Sequence, residues 1–511
     1  MSPSPAAPRD PAAQRVADAA LTGGDDAPGQ EQTGGSVVQL HVRTVRIEEP
    51  VDLLAHIPAD LSAAWIRHGQ GMVALGSAWS VRTTGEQRFA AARAAFTQLA
   101  ARARVDDEVR ARASGLIALG SFSYAASSPR PSRLTVPQAV LGVIEGEAFL
   151  TVVGIEEEPT LPDSWQDLFP AAPAEEESDD AAARAVPTGA ASSGAVPTGA
   201  ASSGAVPTGA ASSGTVPSGA VPSGTPPPGT PPSAHTGELT LEPAHTPAEY
   251  QQLVREAIAR IRDGQAHKVV LSERITATSP QSLDPALLVT RLARAYPSTW
   301  VYFLDDVVGA SPEMLAQTQD GRVFSRVLAG SRPVADDGEL EEADRRAFRT
   351  DAKERSEHLY AVESVTSRLE DLAAQLEVSP EPFVLRLPGL EHLASDVSAQ
   401  LRAGVTSLDV AARLHPSAAV SGTSREQADQ IIAALEPADR GGYASPVGWM
   451  DARGDGQWAI ALRMAHLTGE REAVLQAGGG LVEASDPVAE HAEVLAKTRP
   501  MLRALRRDRA G

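Results

Sequence analysis

The sequence predicts an α+β protein in which layered β-sheets are covered by helices. Stretches such as VVQLHVRTVRI and AVLGVIEGEAFLTVVG carry apolar residues over strand-like lengths. Others, such as Pro247 to Asp263, repeat them at helical spacing. Both kinds are mixed along a chain of 511 residues that is 42% apolar, enough for a large core or several domains.

Taken in order, residues 1–36 are rich in Pro, Ala, Gly and Asp and read as a disordered tail. Residues 37–171 read as folded. Glu86 to Ala113 is predicted as helix, with Phe89, Ala92, Phe96 and Leu99 on one side, and GLIALGSFSY as a buried strand. Composition then changes abruptly. AVPTGAASSG occurs three times from Ala185 to Gly214, followed by TVPSG, AVPSG and TPPPG. Pro and Gly break helix and strand, and these units have almost nothing apolar to stack, so 172–236 reads as a disordered insert acting as linker or tether.

Order resumes in residues 237–506. Thr246 is the expected N-cap of the helix Pro247 to Asp263. His267 to Thr278 is a strand with Val269 and Leu271 on one face and Lys268 and Val270 on the other. Trp300 to Leu304 is another strand, and residues 341–377 make one long helix or two. Asp409 to Arg413 and Arg425 to Leu435 are helical, Trp458 to Leu467 and Ala473 to Gly478 are strands, and Val488 to Leu505 is the closing helix.

Charge narrows the function. With 66 acidic and 45 basic residues, net −21, the chain repels a polyanion on average, which argues against nucleic acid. The absence of cysteine removes disulfides, thiolate metal sites and a cysteine nucleophile. The N-terminus lacks a signal-peptide pattern and no run of about 18 apolar residues occurs, so the expected setting is the cytoplasm, away from membranes.

Two spaced carboxylate pairs carry the first chemical signal. Glu354 and Glu357 in KERSEH, and Glu490 and Glu493 in AEHAEVLAK, are each three apart. Residues at that spacing share a helix face, so two such helices facing each other would present oxygens to a hard cation such as Mg2+. The same pairs also suit two solvated helix faces. Lys268 interrupts an apolar strand, where desolvation favours the neutral amine of a general base; an edge-strand lysine that blunts aggregation is the plainer reading. Glycine-bearing turns GASPE (309–313), LAGS (328–331) and AGGG (477–480) let backbone amides approach an anion, although none is a dinucleotide or phosphate-loop fingerprint. GASPE also supplies Glu313, a candidate acid.

These pieces occur together as KVVLS, GASPE, LAGSRP, KERSEH, HL at 392–393, LHPSAAVSG, EPADRGGYASPVGW, ALR at 461–463, AGGGLV and SDPVAEHAEVLAK. In this order they resemble the chorismate-binding enzyme family, which includes isochorismate synthases, salicylate synthases and the large chains of anthranilate and aminodeoxychorismate synthases. The resemblance covers about half of the chain. It implies the fold of the anthranilate synthase large chain, with residues 37–171 as its N-terminal part. Lysine before VVLS resembles the water-adding members rather than the ammonia-adding ones, which carry glutamine there, and the His-Pro of LHPSAAVSG resembles the isochorismate synthase branch.

What the resemblance implies is an isomerase converting chorismate to isochorismate for menaquinone or siderophore synthesis, with Lys268 as the base that activates water and Glu313 as the acid at the departing hydroxyl. Glu357 and Glu493 would hold Mg2+ directly, and Glu354 and Glu490 through waters. Arg463, Gly478, Gly479, Lys497, Gly330, Ser331, His392 and Tyr443 would line the substrate site. No amidotransferase partner is implied, and a monomer is expected. Ser417, Ala418 and Ser445 depart from the family pattern where they would reshape the pocket. Glu273 departs on the strand face opposite Lys268, where little effect is expected. Salicylate synthase and a non-catalytic interaction protein on the same fold remain as alternatives.

Overall fold

The structure, a computed structural model, describes residues 38–171, 238–334, 342–387 and 390–506; the side chains of residues 331, 333, 353, 357, 387 and 390 are outside that description. The tail 1–36 and the insert 172–236 lie outside the described residues.

Two large sheets form the frame. The first has thirteen strands. It runs from Thr240–Pro243 through Lys268–Thr278, Glu472–Leu481, Met464–Leu467, Val307–Ser311 and Trp300–Leu304. It continues into Ala63–Arg67, Gln70–Leu75, Ala139–Ile144, Glu147–Ile155, Leu40–Ile47 and Arg104–Asp107. The short strand Gly422–Thr423 adds to Lys268–Thr278. The second sheet has ten strands. Leu390–Leu401, Arg322–Pro333, Met314–Gln319, Gly456–Ile460 and Pro446–Asp451 pair in turn and lead into Ile117–Ser121, Ser132–Val136 and Trp79–Thr83. Each sheet is built from both sides of the insert, so the N-terminal part and the catalytic region share one unit. The core between them takes Leu40, Trp65 and Met72 from one sheet and Ile117, Val323 and Trp458 from the other.

Local signals account for the covering helices. Thr246 caps Pro247–Arg262 in a capping box with Glu249, a device that stabilises a helix by about 1 kcal/mol. Its buried face, Tyr250, Val254, Ala257, Ile258 and Ile261, packs with Val269, Leu271 and the helix Arg425–Leu435. Thus Val269 and Leu271 do face away from Lys268. Asp486 caps Pro487–Leu505, with proline at the first turn where no amide donor is missed.

Three expected elements differ. The helix at 86–113 is Arg88–Ala100 only, because Arg104–Asp107 pairs in parallel with Leu40–Ile47. The helical region 341–377 is two helices, Glu342–Thr350 and Ala352–Leu369, after which Ala373–Val378 joins the second sheet. The expected strand Trp458 to Leu467 is two strands in different sheets, Gly456–Ile460 and Met464–Leu467, broken where Arg463 takes a φ of +50°. Apolar content reads alike on both sides of that break, so pattern alone does not reveal it. Among the described residues no helix is long and apolar enough to cross a membrane.

Candidate active site

The chain crosses between the sheets twice at one place, and both crossings carry site residues. Glu313 lies between Val307–Ser311 of the first sheet and Met314–Gln319 of the second. Arg463 lies between Gly456–Ile460 of the second and Met464–Leu467 of the first. The crossings are bonded together. The Ile460 amide donates to the Glu313 carbonyl at 3.0 Å, and the Ala310 amide to the Arg463 carbonyl at 3.2 Å. Ser311 Oγ donates to the Ile460 carbonyl at 2.6 Å. Irregular backbone here is fixed by these bonds, which holds both side chains on rigid supports.

Burial pushes the Glu313 carboxyl above the usual carboxylate range, and Lys268 and Lys497 pull against that rise. Desolvation thus outweighs the two lysines at this carboxyl. Lys268 begins the strand Lys268–Thr278, whose neighbour Glu472–Leu481 sets Gly480 opposite Val270 and Gly478 opposite Ser272. A Cβ on Gly480 would stand 2.7 Å from Lys268 Cε, and one on Gly478 would stand 2.9 Å from Tyr443 Oη. Both glycines thus leave room on one face. Gly479 faces the other way, toward Glu490 and Val494.

Lys497 donates to the Gly478 carbonyl at 2.9 Å and sits 2.8 Å from Glu493 one helical turn earlier. Glu490 accepts from Ser485 Oγ at 2.7 Å; burial raises its pKa, and the like charge of Glu493 adds to the rise. Arg463 is half-buried and makes no hydrogen bond through its guanidinium to another described residue; burial lowers its pKa, while Tyr443 and Glu493 favour its charge. Tyr443 is buried, which keeps its phenol protonated. Arg463 is thereby a planar fork available to a carboxylate.

A second set lies on the second sheet. Gly330 adopts φ +77° at a bulge between Leu328 and Ser331, conformations that favour glycine. This allows the helix Ala352–Leu369 to approach: a Cβ on Gly330 would stand 3.1 Å from Glu354 Oε2. Ser331 pairs with His392 across the strands, and burial lowers the His392 pKa. Glu357 lies on the same helix as Glu354, and its side chain, like that of Ser331, is outside the described residues.

The donor set suits a hard cation in its chemistry. Glu490 and Glu493 repel each other, a cost that a divalent cation would relieve. Among the described residues no three acidic or imidazole groups converge as a metal cage would. Glu493, expected as a direct ligand, lies 2.8 Å from the Lys497 ammonium.

Several supporting residues were not anticipated. Buried Arg440 ties the region together, pairing with Glu436 at 2.6 Å and donating to the carbonyls of Val270 and Val420, both at 2.7 Å. His358 bridges the Ala329 carbonyl and Ser395 Oγ, locking its helix to the Gly330 bulge. Both lie in motifs the sequence shows, His358 at the end of KERSEH and Arg440 in EPADRGGYASPVGW, but neither motif reveals the distant partners these side chains hold. Ser445 Oγ is used up on the carbonyls of Phe122 and Gly442, so its difference from the family pattern is absorbed by backbone bonds. Glu273 lies buried on the face away from Lys268, against His245.

Residues 227–506 match the family model described as chorismate binding enzyme. The isochorismate synthase DhbC of Bacillus subtilis is 35% identical over 277 residues, 52% of this chain and 69% of that protein. The structure of MenF, the menaquinone-specific isochorismate synthase from Escherichia coli, superposes with a TM-score of 0.63 at 22% identity, covering 92% of this chain and 94% of that one. Anthranilate synthase component I from Streptococcus pneumoniae superposes with a TM-score of 0.54 at 19% identity, covering 89% and 94%. These two structures share the fold expected from the sequence.

Proposed function

Since this chain belongs to the chorismate-binding enzyme family, we propose that it is an isochorismate synthase, an isomerase that adds water at C2 of chorismate and expels the C4 hydroxyl as water. One observation carries the assignment of roles: Glu313, whose carboxyl is pushed up by desolvation, feels both Lys268 and Lys497, and Lys268 lies over the open lane at Gly480. In this reading Lys268 takes a proton from the attacking water. Glu313 delivers its proton to the C4 oxygen. In this reading the base begins neutral and the acid protonated.

Arg463 holds one substrate carboxylate through its free fork, beside the glycine run 478–480, which lies within the strand Glu472–Leu481 rather than at the turn expected from the sequence. Lys497 donates to the Gly478 carbonyl, and the Tyr443 hydroxyl stands where a Gly478 side chain would be. Glu354, Glu357, Glu490 and Glu493 are the residues that would hold Mg2+. When bound, that ion supplies charge neutralisation at the ring carboxylate.

Incubating the protein with chorismate and Mg2+ and separating the products by chromatography tests the proposal. Isochorismate is expected. Salicylate with pyruvate, anthranilate when ammonia is supplied, or unconsumed chorismate would each contradict it.

A further inference from the structure

A separate cavity of about 930 Å³ has His415 and Pro416 in its wall. It is bounded by the start of the helix Arg88–Ala100, the loop Tyr124–Pro129, the end of Ser407–Leu414, and the helix Arg425–Leu435 with residues 436–440 behind it. None of the residues assigned to catalysis, substrate or cation lines it. Its size is that of a small-molecule site.

Its charges are unevenly met. Four of the carboxylates on its wall are already engaged. Asp409 takes Arg93 at 3.1 Å, and Asp429 accepts from Ser421 at 2.7 Å and Tyr124 at 3.1 Å. Glu436 takes Arg440 at 2.6 Å, and Asp439 accepts from Ser128 at 2.6 Å. Glu86, the fifth, is exposed.

The arginines at the His415 end differ. Arg88 is only 7% exposed and donates to the carbonyls of Ser123, Tyr124 and Gly85, with no carboxylate in ion-pair range among the described residues. Arg368, just behind the wall, holds the carbonyls of Leu414 and Pro416 and likewise has no described carboxylate partner. Arg425, exposed at the rim, pairs with Asp429 at 3.7 Å. Arg425 repels both Arg88 and Arg368, whose pKa values burial lowers first. His415 adds no compensation and no charge, because burial, with those three arginines, holds its pKa down to about 3. Arg88 is a buried cation facing carbonyls alone, a costly arrangement that an anion entering beside it and the half-buried Arg368 would relieve. Beside them the wall is apolar: Phe89, Ala412, Pro416 and Ile432.

We propose that this cavity is a second ligand site that takes a small carboxylate with an apolar ring. The carboxylate faces Arg425 with Arg88 and Arg368 behind it, and the ring lies against Phe89, Pro416 and Ile432. Guanidinium groups suit a planar carboxylate through paired hydrogen bonds, and the apolar wall adds area that a bare anion cannot use.

Benzoate is the probe, titrated into the full chain by calorimetry, with acetate as the ring-less comparison. The reading needs no turnover, so it is independent of the proposed activity. Benzoate should bind saturably, and acetate should bind roughly tenfold more weakly or less well still. Arg425→Glu should weaken benzoate by roughly tenfold or more, whereas Arg463→Gln, at the catalytic cleft, should leave it unchanged. Circular dichroism checks that both variants fold. No saturable binding, equal binding of acetate, indifference to Arg425→Glu, or loss in a folded Arg463→Gln protein would each overturn the proposal.

Discussion

Gly480 lies against the Lys268 side chain, so that a Cβ added to the glycine would stand 2.7 Å from Lys268 Cε and 3.4 Å from its Nζ. The two positions share one sheet face, since Gly480 pairs with Val270 and strand side chains repeat every second residue. Gly480→Ala should therefore push the amine out of line while the fold persists. A displacement of this kind can cost on the order of a hundredfold in rate. The expected result is a fall in kcat of that order with circular dichroism unchanged. Parental kcat would mean that Lys268 is not held by this contact.

Glu313 gives a prediction in pH. Its carboxyl is raised by burial, so the folded state holds the proton more tightly than the unfolded state does. The stability tied to that proton is fully present below the ordinary carboxylate range and is lost as pH rises through the raised value. At neutral pH folding holds this carboxyl against the ionisation it prefers in the unfolded chain, a cost that glutamine avoids. Glu313→Gln should thus unfold at higher urea than the parent at neutral pH, with the gap closing as pH falls. It should also lose turnover by about a hundredfold or more. A variant less stable than the parent at neutral pH would show that Lys268 and Lys497 outweigh burial.

The Glu493–Lys497 pair predicts opposite effects on cation binding. Glu493→Gln removes an anionic oxygen and should weaken Mg2+ binding, by roughly tenfold. Lys497→Met frees Glu493 from the ammonium 2.8 Å away and should strengthen it. Calorimetric titration with Mg2+ measures both. Equal affinity in the Glu493→Gln protein would remove that residue from the cation site.

Much of this was legible in the sequence wherever a local cause operates. The Thr246 cap, the strand over Lys268, Trp300–Leu304 and Arg425–Leu435 depend on neighbours a few residues apart, and the structure has them. The resemblance pointed to the fold, and its motifs fall on helices such as Ala352–Leu369 and Pro487–Leu505 and on strands such as Arg322–Pro333 and Glu472–Leu481. What stayed hidden depends on distant partners. The break at Arg463 exists because the chain changes sheets, and the shortening after Ala100 exists because residues 104–107 pair with residues 41–44. The Arg440 clamp joins residues 170 positions apart. At the site, spacing supplied the carboxylate pairs but not the Lys497 contact with Glu493, because an i,i+4 pair reads equally well as an ordinary helix-surface bridge.

The most direct measurement runs the reaction in oxygen-18-labelled water and follows the product by chromatography and mass spectrometry, for the parent and for Lys268→Gln side by side. If Lys268 activates water for attack at C2, the parent yields isochorismate carrying one labelled oxygen in the ring hydroxyl. Lys268→Gln, with a side chain of similar length that cannot act as that base, should yield on the order of a hundredfold less product or lower while still folding. Unlabelled isochorismate from the parent, or labelled isochorismate from Lys268→Gln at the parental rate, would contradict the account.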